Sequence, residues 1–149
     1  MPLPDYIEPY WPMIVVVARR YGFDPYIIAA IGDRETMWGT SSYCRPKGAA
    51  CLGDHGHGHG LFQIDDRWHP EFCAGEDWKD PEKNADYAIG KVLKPAVEEL
   101  GYVTQGISAF NCGVGNVKKA LKLQKKIDFY TTGKDYSEDV LHRAEEFKA

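Results

Sequence analysis

The sequence lacks a long apolar run. Its longest, Met13 to Ala18, lies between Pro12 and Arg19 and is far shorter than the ~18 residues that a membrane-spanning helix needs. The N-terminal Met-Pro-Leu-Pro-Asp also lacks the charged and apolar regions of a secretion signal. We therefore expect no membrane insertion, and a protein whose signal has been removed or that leaves its cell by another route.

The sequence also lacks an excess of basic residues. It has 18 Lys and Arg against 22 Asp and Glu, for a net charge of −4. This balance provides no electrostatic basis for binding nucleic acid or an anionic membrane. With 149 residues, 44% hydrophobic and 27% charged, the chain is typical of one globular domain. We expect a single domain over residues 1–149, a monomer, and no nucleic-acid partner.

No C-x-x-C spacing is present, which argues against a zinc ribbon. The four cysteines permit two disulfides in three pairings. Cys44 and Cys51 flank a short loop of Gly, Pro and Ala, which favours a local bridge. We predict Cys44–Cys51 and Cys73–Cys112; four reduced, partly buried thiols are the alternative. No cofactor is expected.

Apolar spacing predicts a mainly α fold with a small β element near 52–66. Asp24-Pro25 and Asp80-Pro81 are typical helix starts, with Asp as the N-cap and Pro in the first turn. Pro95 should kink the helix that contains it. The first helix has its apolar stripe at Ile7, Tyr10, Trp11, Ile14, Val15 and Ala18 and stops at Gly22; further helices are predicted over 25–39, 81–101, 104–112, 115–125 and 136–148, with an extended segment at 61–65.

Glu35 continues the apolar stripe of the second helix, near its C-terminus. Burial and the negative end of the helix dipole both raise a carboxyl pKa. A carboxyl group that is still protonated near neutral pH can act as a general acid. A glutamate at a helix end is nevertheless more often a solvated or paired residue.

Asp54 and Asp65 bracket the glycine-rich run 53–60. Glycine allows the backbone to approach a ligand closely, and a carboxylate beside such a loop could activate water. Asp residues next to Gly more often cap turns.

The run also alternates three histidines, His55, His57 and His59. An extended backbone would place them on one side, where they could bind a metal. The alternative is a polar loop whose spacing follows its glycines, and we predict no metal. Trp38, Trp68 and Trp78 could stack on sugar rings, although an isolated Trp is more often a core residue.

Four blocks together resemble the goose-type lysozymes. Residues 28–35, Ile-Ala-Ala-Ile-Gly-Asp-Arg-Glu, resemble a family helix ending in Ser-Arg-Glu-Ser, and residues 53–65 resemble Gly-Asp-Arg-Gly-x-Gly-x-Gly-Leu-Met-Gln-Val-Asp. Residues 106–117 resemble Gly-Ile-Ser-Ala-Tyr-Asn-Ala-Gly-x-Gly-Asn-Val, and 135–144 fit the closing helix. The blocks span about 120 residues in order. Soluble lytic transglycosylases share the first three more loosely.

The resemblance implies a mainly α, lysozyme-like α+β fold, with a helical domain and a small sheet beside a substrate cleft. It implies that Glu35 protonates the glycosidic oxygen and that Asp54 and Asp65 position the water. Gln63, Asn111 and Tyr136 match family residues that line the cleft. Phe110 and two histidines that are unusual for the family, His57 and His59, are also expected to bind the substrate.

This chain departs from the family pattern at four positions. Phe110 replaces a tyrosine whose hydroxyl would lie near the cleaved bond, so that hydrogen bond is lost. Thr36 replaces a serine, Asp33 replaces another, and Cys112 replaces a small alanine. The chain also lacks the longer N-terminal region of the animal members. We therefore expect a microbial or viral member, or an excised domain, that is secreted or released from a lysed host cell.

The expected activity is hydrolysis of β-1,4 linkages in peptidoglycan, with inversion at the anomeric carbon. Three alternatives stay open: a chitinase, a lytic transglycosylase and an inactive sugar-binding module. The two aspartates favour hydrolysis over transglycosylation, because a transglycosylase uses the muramic acid hydroxyl as its nucleophile and needs no second carboxylate.

Overall fold

The computed structural model describes residues 3–149. Eight α-helices account for most of this part of the chain, and short 3-10 turns connect several of them. The bounds of the α-helices are α1 Trp11–Tyr21, α2 Pro25–Thr36, α3 Pro70–Ala74, α4 Pro81–Tyr87, α5 Lys94–Leu100, α6 Val103–Cys112, α7 Val114–Lys122 and α8 Tyr136–Lys148. The mainly α prediction is confirmed.

A small antiparallel sheet lies between α2 and α3, as the sequence predicts for 52–66. Its strands, in spatial order, are β1 Leu52–Gly53, β2 Gly58–His59 and β3 Ile64–Asp65. Gly58 pairs with Gly53 on one side and with Asp65 on the other. The register therefore places Asp65 at one outer strand and the segment that begins with Asp54 at the other.

Both predicted Asp-Pro helix starts are confirmed. The Asp24 carboxylate accepts a hydrogen bond from the Tyr26 amide at 2.8 Å. The Asp80 carboxylate accepts one from the Lys83 amide at 2.9 Å. Each side chain satisfies a backbone donor that has no partner within its helix.

The helix predicted for 81–101 is interrupted by a π-helical segment, Ala88–Leu93, between α4 and α5. Pro95 lies in the first turn of α5, immediately after the wider turns. A proline cannot donate to the preceding turn and its ring crowds the carbonyl four residues earlier. Prolines and π-helical turns are both places where a helix departs from regular α geometry.

Three predicted boundaries need correction, one of them at the helix predicted for 115–125, which ends at Lys122. Helix α2 ends at Thr36 instead of Gly39, because Met37 adopts a left-handed conformation and caps it. Only Ile64 and Asp65 of the predicted extended segment form a strand, since Gly60 and Gln63 have positive φ and the chain turns there. The stripe of α1 buries Val17, whereas Val15 is only partly buried.

The core forms around α2, whose residues Ile28–Ile31 are completely buried. Helix α2 packs against α1 on one side and against α8 on another. The side chains of Trp38, Phe62 and Tyr136 are the largest in this core. The core therefore extends from the end of α2 to the sheet and to α8. Within residues 3–149, no helix combines the length and the apolar character that crossing a bilayer requires.

Candidate active site

A cavity of about 1050 Å³ lies between the sheet and the helices. Pockets that hold one drug-sized ligand measure roughly 300–1,000 Å³, so this cleft can hold more than one sugar ring. On its helical side lie Val92, residues 109–113, Gly115, Asn116 and Thr132; on the sheet side lie Tyr43, Asp54, Gly58, residues 63–65 and residues 67–69.

Glu35 lines this cavity from the last turn of α2. Burial raises the pKa of its carboxyl to about 7, although the Tyr136 hydroxyl and the Arg34 guanidinium both oppose the increase. The carboxyl therefore keeps its proton at pH values where an ordinary glutamate is ionised. This property is that of a general acid.

Tyr136, at the start of α8, forms a hydrogen bond with Glu35. Its hydroxyl donates a 2.5 Å hydrogen bond to Oε2 of Glu35. The ring is only 1% exposed, and Tyr136 is not among the cavity-lining residues of the described chain. Burial, followed by the nearby Glu35 carboxylate, holds the pKa of Tyr136 well above its usual value. The phenol therefore stays a donor, and its position indicates that it orients Glu35.

Arg34 points away from the cavity, into a set of acceptors on and before α8. Its guanidinium bonds the carboxylates of Asp139 at 2.8 Å and Asp135 at 3.1 Å, and the Thr132 carbonyl at 2.8 Å. It also lies over the Tyr136 ring, 5.1 Å from the centroid. These contacts fix the end of α2 relative to α8 and compensate much of the positive charge next to Glu35.

A second ion pair continues this network further from the cleft. Arg143 of α8 bonds Asp33 at 2.6 Å and Asp139 at 2.8 Å. Asp33 is only 5% exposed and also accepts a hydrogen bond from the Tyr6 hydroxyl at 2.6 Å. The substitution of Asp33 for the family serine thus adds a buried, compensated charge directly before Arg34 and Glu35.

The chain directly after Glu35 has an unusual backbone. Met37 and Trp38 both have positive φ, 47° and 51°, which is uncommon for residues with a Cβ. The Trp38 indole folds back onto α2, where its Nε1 donates to the Ala29 carbonyl at 2.9 Å. A Cβ at Gly32 would lie 2.5 Å from that indole. Gly32 therefore allows Trp38 to pack beneath the helix end that presents Glu35.

Two polar side chains attach the sheet to the helices. The Thr36 hydroxyl donates to the Leu61 carbonyl at 2.8 Å. Asn84, fully buried on α4, accepts from the Phe62 amide and donates to the carbonyls of His59 and Trp78. These bonds hold the turn between β2 and β3 at a fixed distance from the end of α2. Asn84 is a positioning residue that the sequence analysis missed.

Asp54 and Asp65 both line the cavity and share one cation, Arg67. The Arg67 Nη2 bonds Oδ2 of each aspartate at 2.6 Å, and its Nε bonds Asp65 again. The Arg67 hydrogen bond lowers the pKa of Asp65 despite partial burial. Asp65 is therefore a carboxylate at neutral pH, whereas Glu35 is partly protonated. Arg67 is the second residue that sequence reasoning missed.

Gln63 lies over the sheet beside these aspartates. Its amide donates to the Gly60 carbonyl at 2.9 Å. A Cβ on Gly53 or on Gly58 would lie 2.2 Å from the Gln63 side-chain oxygen. The two glycines therefore leave the space that Gln63 occupies on the floor of the cavity.

Phe110 and Asn111 line the opposite wall, at the end of α6. The Asn111 side chain accepts from the Thr132 amide at 2.9 Å and donates to the Thr132 hydroxyl at 3.3 Å. Phe110 presents an apolar ring where the family pattern has a tyrosine. The structure thus brings Glu35, Asp54, Asp65, Gln63, Phe110 and Asn111 to one cavity.

The histidines do not share one face, because residues 54–56 form a 3-10 turn instead of an extended strand. His57 bonds Asp66 at 2.8 Å. His59 packs edge-on against Trp78, with 4.7 Å between ring centroids, and is only 9% exposed. Neither is among the cavity-lining residues of the described chain, so the structure gives no support to their expected role in substrate binding.

One group of side chains could hold a cation. The ligand atoms of His57, Asp65 and Asp66 lie within 4.8 Å of one another. Asp65 is bound to Arg67 and His57 to Asp66. The bonds within and around the group already account for these side chains, so they do not by themselves indicate a metal site.

Of the two predicted disulfides, one is confirmed and one is wrong. The Cys44–Cys51 disulfide is confirmed, with a Cα–Cα distance of 4.8 Å. The Cys73–Cys112 bridge is wrong, because both thiols are free. Each is directed at a local carbonyl: Cys73 Sγ lies 3.5 Å from the Ile64 oxygen, and Cys112 Sγ lies 3.7 Å from the Gly113 oxygen.

A model of the family "Lysozyme g" matches residues 4–149. The chain belongs to this family. It is 30% identical over 147 residues to lysozyme G of Dromaius novaehollandiae, covering 95% of this chain and 67% of that protein. It is 33% identical over 149 residues to lysozyme g of Cyprinus carpio, with 95% and 74% covered.

The chain is also similar to a protein with another name. A glycine, glutamate and proline-rich protein of Lottia gigantea is 30% identical over 149 residues, which cover 88% of this chain and 32% of that protein. The family match confirms the resemblance drawn from the four sequence blocks.

Proposed function

We propose that this member of the lysozyme g family is a glycoside hydrolase that cleaves β-1,4 linkages in peptidoglycan, with Glu35 as the general acid. The observation that carries the proposal is the Glu35 carboxyl, which lines an open cleft and has a pKa raised by burial to about 7. A carboxyl group with this pKa is protonated often enough to donate and is strong enough as an acid to release its proton.

Tyr136 assigns different roles to the two carboxyl oxygens of Glu35. Its hydroxyl donates to Oε2, so that oxygen acts as an acceptor. The acid proton then resides on Oε1. That oxygen donates the proton to the glycosidic oxygen as the bond to the anomeric carbon breaks.

Asp54 and Asp65 are the carboxylates proposed to orient and deprotonate the attacking water. Both line the same cavity as Glu35 and both contact Arg67. Because the pKa of Asp65 is lowered, it is ionised in the pH range where Glu35 is still protonated. Attack by water from the face opposite the leaving group inverts the anomeric carbon. A β-linked substrate would then first release an α-anomer.

Substrate recognition is proposed for the remaining cleft residues. Gln63 and Asn111 present side-chain amides from opposite walls, and Phe110 contributes an apolar surface. Such a combination suits N-acetylated amino sugars, whose rings have polar edges and apolar faces. We further propose that the protein acts outside the cell on cell-wall polysaccharide.

Glu35→Gln tests the acid, because the amide preserves the shape and cannot donate the proton. Loss of a general acid costs about 10²–10⁴-fold in rate, so turnover of peptidoglycan should fall by that factor while oligosaccharide binding is kept. Glu8→Gln, at an exposed glutamate outside the cleft, is the matched control. Turnover of Glu35→Gln within about threefold of wild type would rule out Glu35 as the acid.

The product separates hydrolysis from transglycosylation. Fresh digests of chitooligosaccharides, resolved by NMR, should contain the α-anomer first, and peptidoglycan digests should contain reducing ends. Asp54→Asn combined with Asp65→Asn should approach the loss seen with Glu35→Gln. An initial β-anomer contradicts the inverting mechanism, and anhydro-muramic ends together with an active double variant would indicate a transglycosylase.

A further inference from the structure

Trp68 is unusually exposed for its residue type. Its side chain is 80% exposed, the largest value among the large apolar residues in the described part of the chain. Trp38 and Trp78 are buried, at 1% and 7%. Tryptophan is highly buried on average, so the exposure of Trp68 sets it apart from the two core indoles.

Trp68 is also located in the cleft. It follows β3, and it lines the cavity together with its neighbours Arg67 and His69. Its amide donates to the Asp65 carbonyl at 3.2 Å. The indole is therefore attached three residues from a proposed catalytic carboxylate, on the same wall.

The backbone that carries Trp68 is held on both sides. Arg67 is bound to Asp65 and Asp54. The His69 ring bonds the Tyr87 hydroxyl at 2.9 Å, and Phe72 stacks on the Tyr87 ring with 4.0 Å between centroids. The backbone that presents the indole is therefore held in place, so binding a ligand does not have to order this segment.

A second aromatic side chain lies at the other edge of the sheet. Tyr43 lines the cavity, and a Cβ on Gly53 of β1 would lie 2.9 Å from its ring. Strands are spaced about 4.7–4.9 Å apart, so β1 and β3 are separated by roughly 10 Å. The proposed catalytic carboxyl groups line the same cavity. A polysaccharide lying across the sheet would contact Tyr43 near one edge and Trp68 near the other.

We propose that Trp68 stacks on a pyranose ring of an N-acetylated amino-sugar chain and forms a separate sugar subsite at the β3 edge of the cleft. This inference rests on the proposed function. A pyranose ring has an apolar C–H face that matches an indole face, and polar hydroxyls that can reach Arg67. The subsite determines how long an oligosaccharide must be to bind tightly.

The test measures chitooligosaccharide binding, from dimer to hexamer, in the Glu35→Gln background by calorimetry. Trp68→Ala should weaken binding of the longer oligomers about tenfold and leave the dimer unchanged. Trp68→Tyr should retain most of the affinity. Tyr102→Ala is the matched control, since Tyr102 is 66% exposed but lies outside the cavity lining. Trp68→Ala within about twofold of the background for every length overturns the subsite.

Fluorescence provides a second readout. Because Trp68 is the most exposed of the indoles, acrylamide should quench its fluorescence efficiently. The chitohexamer should reduce this quenching in the Glu35→Gln protein. In the Trp68→Phe variant, the hexamer should change the quenching little. Unchanged quenching in the saturated complex would contradict stacking. With Glu35 intact, Trp68→Ala should raise KM for peptidoglycan and leave kcat near wild type. This difference between the effects on KM and kcat tests the subsite. The loss of turnover in Glu35→Gln separately tests the proposed function.

Discussion

Two opposing influences set the acidity of Glu35. Burial raises the pKa of its carboxyl to about 7, whereas the hydrogen bond from Tyr136 and the charge of Arg34 lower it. Arg34 is itself compensated by Asp135 and Asp139. The Tyr136 hydroxyl is therefore the contact through which the pH dependence can be changed with the least disturbance to charge.

Tyr136→Phe should move the pH profile to higher pH. A general acid is active while protonated, so activity falls as pH rises through the Glu35 pKa. Removing a hydrogen bond that favours the ionised form raises that pKa, and the alkaline limb of kcat should move upward from about pH 7. Absolute kcat should also fall, because Glu35 loses its orienting contact.

The control for this prediction is Tyr130→Phe, at a partly buried tyrosine that is not among the cavity-lining residues of the described chain. Its alkaline limb should match that of wild type. An alkaline limb in Tyr136→Phe that is unchanged, or moved to lower pH, would show that the limb does not report Glu35.

At the scale of elements, the segments that follow α2 and β1 and precede β3, beside the proposed catalytic residues, adopt backbone conformations that cost free energy. Met37 and Trp38 after α2, Asp54 after β1 and Gln63 before β3 all have positive φ. Such residues persist only where the surroundings over-determine them. Here the Trp38 side chain packs against Gly32, and the Gln63 side chain packs against Gly53 and Gly58. The Cys44–Cys51 disulfide closes the segment that connects α2 to the sheet.

The structure also predicts how many cysteines carry a free thiol. We predict two reactive thiols per denatured chain, Cys73 and Cys112, and one intact disulfide, Cys44–Cys51. Thiol titration in denaturant, followed by mass spectrometry of peptides, measures both. Four thiols, or a Cys73–Cys112 peptide pair, would contradict the prediction.

Replacing both Cys44 and Cys51 by serine should lower the free energy of unfolding by about 2–3 kcal/mol, because the bridge closes a short loop. The Cys73→Ser variant is the control and should lose less, since its thiol is not cross-linked. Chemical denaturation under non-reducing conditions gives the comparison.

At the scale of the whole molecule, α2 and α8 are far apart in sequence and closely packed in space. A series of ion pairs connects the two helices: Asp33 with Arg143, Arg143 with Asp139, and Asp139 with Arg34. Both members of the Glu35–Tyr136 pair lie on these two helices. The docking of α8 on α2 therefore affects both the stability of the fold and the position of Glu35, the proposed general acid.

Arg143→Met should destabilise the protein by about 2–3 kcal/mol, below the full value for a buried pair because Arg143 is partly exposed. The loss arises because Asp33 stays buried without its ion-pair partner. Adding Asp33→Asn should recover part of the stability, since the amide removes the unpaired charge. Urea unfolding of the single and double variants measures the coupling, and strictly additive losses would contradict it.

The sequence alone determined the helical class, the Asp-Pro helix starts and the sheet near 52–66, because capping, apolar period and glycine clustering are local properties. It also pointed to Glu35, Asp54 and Asp65, although the helix stripe and the glycine-rich loop alone favour ordinary roles and the resemblance to the goose-type lysozymes carries the assignment. The Cys44–Cys51 bridge belongs to the same group, because its two ends are close along the chain.

Only the tertiary structure decided which distant groups meet. The donation from Tyr136 to Glu35 joins residues 101 positions apart, and no local pattern encodes such a distance. The bridging of both aspartates by Arg67 and the separation of Cys73 from Cys112 likewise depend on how the sheet and α6 are placed. The exposure of Trp68, in contrast to the burial of Trp38 and Trp78, was settled by packing, because hydrophobicity alone cannot distinguish an indole in the core from one in a cleft.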